Sequence, residues 1–296
     1  MSKHAYLVIS HNKWRQLRFL IEILDDPRND FFILIDAKAK DFDKDRFLSS
    51  FSSNLSNRIF FTRQVDIRWG MYSQIDAEVA VLKASTSHSK YDYYHLVSGI
   101  DMPLKSQDEL HNFFDSMQGT EFVDFDENDN NKQALDRARY HYFLQTLVGR
   151  SQHNPIKYFR DILVLCEKAI GVNRVKDIEK DLGKGATWFS ITDGFARYVV
   201  SQENFLKEHF SNTYCCDEVF LQTLLNRSPY KQNWFGYKNP EIYYQNMRYL
   251  DWGRGKPYTF KKNEYFELCN TPYMFARKFS EDIISEDVKN YLKHRS

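Results

Sequence analysis

The sequence predicts an α/β fold in which a mostly parallel central sheet is flanked by helices. In residues 1–125 short apolar runs alternate with amphipathic helical patterns, which is typical of βαβ units. The 296 residues are 42% hydrophobic and 16% aromatic, so the chain can bury a large core. Nothing in the sequence repeats or is of low complexity. We therefore expect one composite domain over residues 1–296.

The elements follow in chain order. We predict strands at residues 6–10, 31–36, 58–61 and 93–97, and helices at residues 13–24 and 73–85. This nucleotide-binding sheet half, about 1–125, leads through an acidic stretch into a helical segment, about 126–182. The last part, about 183–296, is the predicted acceptor and catalytic half. It should contain a strand at 186–191, a helix at 193–201 and a loop-rich basic and aromatic region at 247–280.

Charge and cysteine content exclude several classes of protein. Lys+Arg 41 against Asp+Glu 40 gives a formal charge of +1, so no overall field attracts nucleic acid. The four cysteines have no metal-ligand spacing, and we interpret them as free thiols of a reducing compartment. The apolar run at residues 5–9 is too short for a signal or a membrane span. These features predict a cytoplasmic protein, with peripheral contact at the inner face of a membrane left open.

Polar side chains follow several predicted strands, where α/β folds bind their ligands. The positions are Ser10-His11-Asn12, Asp36-Ala37-Lys38 and Ser98-Gly99-Ile100-Asp101. The Asp36 carboxylate can accept from a ribose hydroxyl or a base N–H, or it can serve as a cap or turn residue. The sequence has no G-x-G-x-x-G or P-loop pattern, so the phosphates of a nucleotide would need another partner.

An acidic pair, Asp217-Glu218, stands between a polar loop and an apolar-periodic helical run that begins at Val219. Carboxylates on the first turn of a helix are held by free backbone N–H groups and by the helix dipole. The pair can therefore mount a catalytic base. The alternative is an ordinary Asp N-cap followed by a first-turn Glu, and the segment alone favours that alternative.

Adjacent basic residues, Arg277 and Lys278, lie in an apolar frame near the C-terminus. A guanidinium and an ammonium group can together neutralise a diphosphate, and the alternative is two solvated basic residues. Arg254 and Lys256 are reserve candidates for the same role. A leaving diphosphate that is stabilised by side-chain cations does not require a metal ion.

A metal site is the weaker interpretation of the acidic residues. Asp124-Phe125-Asp126 has the Asp-X-Asp spacing that coordinates Mg²⁺ or Mn²⁺ with a substrate phosphate. We interpret it instead as the start of a solvated loop that runs on through residues 127–130, while Asp66 and Asp101 are isolated acids. The histidines and serines form no recognisable nucleophile and base pairing, and we interpret Cys215 and Cys216 as inert thiols.

Taken together, a series of segments resembles the core-2/I-branching family of glycosyltransferases, which includes the peptide O-xylosyltransferases. The segments occur in the family's order and cover nearly the whole chain. They are residues 4–11 (HAYLVISH), 32–36 (FILID), 67–73 (IRWGMYS), 94–104 (YHLVSGIDMPL), 185–189 (GATWF), 217–218 (DE), 248–252 (RYLDW) and 275–279 (FARKF).

The resemblance implies a GT-A-like fold, inverting transfer from a UDP-sugar to a hydroxyl, and independence of divalent metal, with no further cofactor. By position it implies that Glu218 is the general base and that Arg277 and Lys278 bind the diphosphate of the donor. The other donor-binding positions that it implies are His11, Asp36 on the uridine, Trp69, Gly70, Asp101 in place of the usual metal motif, Thr187, Trp188 and, in a poorly matching stretch, Arg254.

The resemblance also sets the expected biology. Animal members carry a membrane anchor and disulfides, whereas this chain starts at its first predicted strand and resembles a bacterial cytosolic member. We expect transfer of N-acetylglucosamine in a β linkage to a glycan or lipid-linked saccharide during surface polysaccharide synthesis. Transfer of xylose, galactose or glucose is the first alternative. A nucleotide-sugar-binding protein without catalysis is the second.

Overall fold

The computed structural model describes residues 2–126, 132–150, 153–239 and 241–295. Its central sheet has five strands in the order β3-β2-β1-β4-β6. The strands are β1 (His4–Ser10), β2 (Asn29–Ile35), β3 (Ile59–Phe61), β4 (Tyr93–Ser98) and β6 (Ser190–Thr192). Neighbours from β3 to β4 are parallel, and only β6 runs antiparallel to its neighbour. The predicted mostly parallel sheet is confirmed.

Helices cover both faces of this sheet. Those of the first half are α1 (Trp14–Ile23), α2 (Lys44–Leu48), α3 (Ser53–Ser56), α4 (Ser73–His88) and α5 (Gln107–Ser116). The middle segment contains α6 (Lys132–Ala138), α7 (Gln145–Val148) and α8 (Ile156–Ala169). The last part contains α9 (Asp193–Ser201), α10 (Glu203–Phe210), α11 (Phe220–Arg227), α12 (Phe235–Lys238), α13 (Lys262–Leu268) and α14 (Glu286–Lys293).

Alternating side chains of the strands divide the core into two layers. Ala5 and Leu7 of β1 face α4, α9 and α11, whereas Tyr6 and Val8 face α1 and α5. All four side chains are fully buried. Strands buried on both faces read as continuous apolar runs, which is why the sequence predicted them well. No helix within the described ranges is long and apolar enough to cross a membrane.

A second, three-stranded sheet closes the carboxyl end of the first. It consists of β5 (Met102–Pro103), β8 (Phe275–Arg277) and β7 (Arg248–Leu250) in that order. Two strands and a helix therefore occupy the region 247–280, which was predicted to be loop-rich. The predicted strand at 186–191 is reduced to β6, because the groups before it bond to side chains: the amide of Ala186 to Asp124 and the hydroxyl of Thr187 to Asp217.

Arg248 joins the two sheets from a buried position on β7. Its guanidinium donates to the carbonyl oxygens of Asn246, Leu96 and Phe189 and to the hydroxyl of Ser190. Burial lowers the pKa of Arg248 to about 9, so the hydrogen bonds must compensate for removing a cation from water. This side chain thus links β7 of the second sheet to β4 and β6 of the first.

Replacing Arg248 by Met should lower the free energy of unfolding by about 3 kcal/mol or more, because several buried carbonyl groups lose their donor. Urea denaturation of the two proteins measures the difference. Arg15→Met, at an exposed position of α1, is the matched control and should change stability by less than about 0.5 kcal/mol. A loss of under about 1 kcal/mol for Arg248→Met would show that the carbonyl groups find other donors.

Candidate active site

A cavity of about 470 Å³ lies at the carboxyl ends of β1, β2 and β4, as expected for an α/β sheet. We call it the donor cavity. Of the residues that were singled out from the sequence, it is lined by His11, Asp36, Trp69, Thr187, Trp188, Glu218 and Arg277. These residues come from six separate parts of the chain. The fold therefore brings most of the predicted site together.

The lining of the donor cavity includes an acid, a histidine and an indole. Asp36 directly follows β2 and accepts a hydrogen bond from the backbone amide of Lys38 at 2.9 Å, while its second oxygen lies 3.0 Å from Lys38 Nζ. Partial burial lowers the pKa of His11, which keeps that imidazole neutral near pH 7. Trp69 provides a flat face whose ring centroid lies 5.7 Å from that of Tyr214. These groups suit a nucleoside, with Asp36 as a fixed hydrogen-bond acceptor.

Arg277 is the best-fixed cation of the cavity. Its Nη1 lies 2.7 Å from Asp101 Oδ1 and also donates to the hydroxyl of Ser98. Its guanidinium carbon is 4.0 Å from the centroid of the Trp188 ring, which is cation–π distance. Asp101 itself is almost fully buried, and its carboxylate accepts a hydrogen bond from the backbone amide of Ser98. Asp101 does not line the cavity but holds Arg277 in place.

Further cations surround Arg277. Burial lowers the pKa of Lys278, and so do the like charges near it. Those charges belong to Arg277, Arg150 and Lys13. Arg150 also lines the cavity, with its guanidinium carbon 5.5 Å from the centroid of the Trp69 ring. Such a cluster of cations disfavours its own charge until an anion binds, so these side chains are suited to a diphosphate.

Glu218 also lines the donor cavity, and it lies on a tight turn rather than on a helix. Cys216–Glu218 forms a single 3₁₀ turn, entered through Cys215 in the left-handed region at φ 47°, and α11 begins only at Phe220. The prediction that Glu218 lies on the first helical turn is therefore wrong. Gly185 supports the turn: its amide donates to the carbonyl of Glu218 at 3.0 Å, and a Cβ on it would lie 1.8 Å from the carbonyl oxygen of Asp124.

An ion pair orients the Glu218 carboxylate. Arg137 of α6 lies with its Nη1 2.5 Å from Glu218 Oε2, and the Glu218 side chain keeps 38% of its surface exposed. One carboxylate oxygen is thus bound by a cation, while the side chain still faces solvent. No local pattern pointed to Arg137, because its partner is 81 residues away.

Asp217 points away from α11. Its Oδ2 accepts from Gln74 Nε2 at 2.8 Å and from Thr187 Oγ1 at 2.9 Å, and no side chain caps the helix. The predicted capping role of Asp217 is therefore wrong. Burial, together with the adjacent Glu218 and against the Thr187 hydrogen bond, raises the pKa of Asp217 to about 6. Asp217 instead bonds the Cys216–Glu218 turn to Gln74 of α4 and to Thr187 in the cavity wall.

Glu78 is a buried acid that the sequence analysis missed. It lies on α4, lines the donor cavity and is 2% exposed. Its Oε2 is buried without a hydrogen-bond partner among the described residues. Burial raises the pKa of Glu78 well above its ordinary value, and the nearby Asp217 adds to the effect. Burial therefore favours the neutral form of the Glu78 carboxyl.

A second cavity of about 500 Å³ meets the donor cavity at Glu218; we call it the acceptor cavity. Ala186 and Trp252 also line both. Its walls contain the aromatic side chains Tyr243 and Tyr244, and Trp252 is largely exposed. Exposed aromatic rings around a carboxylate suit a sugar ring.

The acids of the Asp-X-Asp sequence lie in the acceptor cavity, so their interpretation as the start of a solvated loop is wrong. Asp126 pairs with Lys184 Nζ at 2.8 Å, and burial raises the pKa of Asp124 to about 6. Asp124 also accepts from the amide of Ala186. The continuation of the predicted loop, residues 127–130, lies outside the described residues.

Three other predicted positions do not line the donor cavity. Arg254 is bound by Asp251 and Glu264 outside it, so this residue is not among the cations that line it. Lys256, the other reserve candidate, does line the cavity. The carbonyl of Gly70, a residue at φ +73°, accepts a hydrogen bond from the amide of Cys215. Gly70 therefore supports the turn that carries Glu218. Lys278, the third of these positions, lies near the charges of Arg277, Arg150 and Lys13 and so belongs to the cation cluster.

The cysteines fit the predicted free thiols. None of the four forms a disulfide, and Cys215 and Cys216 are buried. Burial, together with the nearby Asp217 and Glu218, raises the pKa of Cys215 to about 12. A thiol with so high a pKa is a poor nucleophile at neutral pH.

Comparison with known proteins adds a family to this geometry. The family model of the Core-2/I-Branching enzyme matches residues 4–271. The chain is 24% identical over 312 residues to xylosyltransferase 2 of Rattus norvegicus, with 97% of this chain and 33% of that protein covered. It is 21% identical over 226 residues to a β-1,3-galactosyl-O-glycosyl-glycoprotein β-1,6-N-acetylglucosaminyltransferase of Homo sapiens, with 74% and 47% covered. The chain thus spans about a third to a half of the length of these relatives.

Glu78→Gln should make stability less dependent on pH. As pH rises above the ordinary Glu value of 4.5, the unfolded chain loses a proton that the folded chain keeps, so unfolding becomes easier. Gln carries no such proton. We expect the variant to gain stability over the unaltered chain between about pH 5 and about pH 8, measured by urea denaturation.

The matched control for this prediction is Glu208→Gln, at an exposed position of α10. This control should show the same change in the free energy of unfolding between about pH 5 and about pH 8 as the unaltered chain. Parallel pH profiles for the unaltered chain and Glu78→Gln would contradict a buried neutral carboxyl at this position.

Proposed function

The chain belongs to the Core-2/I-Branching enzyme family, and from this premise we propose that it is an inverting glycosyltransferase that uses a UDP-sugar donor. The acceptor would be a hydroxyl group of a glycan or a lipid-linked saccharide. One observation carries the proposal: Glu218 lines both cavities, and Arg277 lines the donor cavity with it. A base at the junction of a donor site and an acceptor site is what a direct displacement requires.

Glu218 is the proposed general base. An acceptor hydroxyl has a pKa far above neutral, so a carboxylate must take its proton as the oxygen attacks the anomeric carbon. Arg137 occupies Oε2 of Glu218, which leaves Oε1 as the oxygen for the incoming proton. The hydroxyl attacks from the acceptor side, opposite to the leaving UDP, and this geometry inverts the anomeric centre. Thr187 and Trp188 form part of the wall around the sugar.

Arg277 and Lys278, with Arg150, are the proposed partners of the diphosphate. Negative charge develops on the leaving group as the bond to the anomeric carbon breaks, and fixed cations stabilise it without reorganising. Asp36, His11 and Trp69 would hold the uridine. Positioning of the two substrates supplies much of the remaining rate enhancement.

The first proposed donor is UDP-N-acetylglucosamine, with transfer in a β linkage. UDP-xylose is the direct rival, since relatives of both kinds match the chain. UDP-galactose and UDP-glucose complete the set to be tested. The exposed aromatic residues of the acceptor cavity favour a saccharide acceptor, and a bacterial surface polysaccharide is the setting that we propose for it.

Glu218→Gln should lower kcat by about 10² to 10⁴ while the Kd for UDP changes by less than about twofold, because the amide cannot accept the proton. Release of UDP from the four donors measures turnover, and calorimetry measures UDP binding. Glu267→Gln, exposed on α13, is the matched control. Unchanged turnover in Glu218→Gln would remove this residue from the mechanism. Tight binding without turnover in the unaltered chain would favour a non-catalytic binding protein.

Turnover should not depend on a divalent metal. The cations that face the diphosphate come from side chains, and the carboxylate of Asp101 is already bound by Arg277 and Ser98. UDP release in EDTA should therefore stay within about twofold of the rate with added Mn²⁺. A strict requirement for Mn²⁺ would contradict this assignment and direct attention to Asp124 and Asp126.

A further inference from the structure

The middle segment exposes an unusual amount of apolar surface. Among the described residues, eight of the eleven exposed large apolar side chains lie between residues 143 and 170. They are Phe143, Leu147, Tyr158, Phe159, Ile162, Leu163, Leu165 and Ile170. Tyr158 and Ile170 are 71% and 78% exposed. A contiguous patch of this kind marks an interaction surface.

Five of these side chains form one face of α8, which we call the apolar face. The exposed residues Tyr158, Ile162 and Leu165 recur at helical spacing, and Phe159 and Leu163 form a neighbouring row. The opposite face, with Arg160 and Val164, is buried against the protein. The helix is therefore amphipathic, but its wider apolar stripe faces outward.

A cationic cavity of about 390 Å³ lies beside this face. Of the described residues that line it, four are basic and one is acidic: Arg150, Lys157, Arg160 and Lys168 against Asp161. Arg160 is paired with Asp161 and lies over the rings of Tyr142 and Tyr214. Leu165, from the apolar face, also lines this cavity. The apolar face and the cationic cavity are thus one continuous surface.

We propose that this surface docks the protein on a bilayer that contains anionic lipid. The apolar side chains of α8 enter the boundary between headgroups and acyl chains, and the cationic cavity takes a phosphate headgroup. An amphipathic helix with basic residues beside its apolar face binds membranes in this way. Because Trp69 and Arg150 line both the cationic cavity and the donor cavity, docking places the active site close to the membrane surface.

The charges favour a bilayer over a second copy of the chain. A symmetric dimer through α8 would bring the same cations of both protomers toward each other. Anionic headgroups instead neutralise them, and each lysine near such a surface strengthens binding by about fivefold. The surface therefore has the charge for lipid phosphate in addition to the apolar area for acyl chains.

Co-sedimentation of the full chain with vesicles tests the proposal, without any UDP-sugar present. Vesicles of phosphatidylcholine alone are compared with vesicles that also contain phosphatidylglycerol. The unaltered protein should bind the anionic vesicles more tightly, and less so as salt is raised. Tyr158→Ser with Ile162→Ser should weaken binding by about tenfold or more, and Lys168→Gln by about fivefold. Inorganic phosphate at matched ionic strength should not release the protein.

Matched controls lie outside the patch: Tyr237→Ser on α12 and the exposed Lys90→Gln should bind as the unaltered chain does. UDP release without vesicles should be unchanged in the Tyr158 and Ile162 double variant, so failure of the proposed reaction and failure of docking are distinguished. Absence of vesicle binding, equal binding by the double variant, or no preference for anionic lipid would overturn the proposal. So would a dimer in solution that the same double variant dissociates, since a second copy would then cover the face.

Discussion

The ion pair between the buried Asp101 and Arg277 joins residues that are 176 positions apart and fixes the guanidinium that lines the donor cavity. A carboxylate this deeply buried requires a partner, and removing either residue leaves the other charge unpaired. Around the pair, β8 pairs with β5, and the amide of Phe279 bonds to the carbonyl of Ile100. Arg277 can therefore lie over Trp188 and still face the cavity, because its position is set by the sheet edge rather than by a loop.

Burial changes the charge of several groups that line or adjoin the donor cavity. It raises the pKa of Glu78 well above its ordinary value, and together with the adjacent Glu218 it raises the pKa of Asp217 to about 6. Burial and nearby like charges lower the pKa of Lys278. The raised pKa values of the two acids weaken the repulsion that they would exert on an anionic nucleotide sugar.

Local patterns were enough for much of the fold. The strands β1 to β4 and the helices α1, α4 and α9 were predicted close to their observed bounds, because buried strands and amphipathic helices have clear apolar periods. The turn at Cys216–Glu218 was not predicted, since it depends on Gly185 and Gly70 bonding to it from distant segments. The sequence also could not show that Arg150 rather than Arg254 lines the donor cavity. Arg254 is bound by Asp251 and Glu264, and Arg150 reaches the cavity only through the fold.

The middle segment connects the catalytic carboxylate with the proposed membrane surface. Arg137 of α6 orients Glu218, Arg150 lines the donor cavity, and Arg160 of α8 bonds to Gln145 of α7 beneath the apolar face. Helices this short have little stability of their own and depend on what they pack against. A bilayer that covers α8 would supply the packing that this face lacks within the chain. The same contact that brings the enzyme to a membrane-held acceptor would then also stabilise the segment that positions its base.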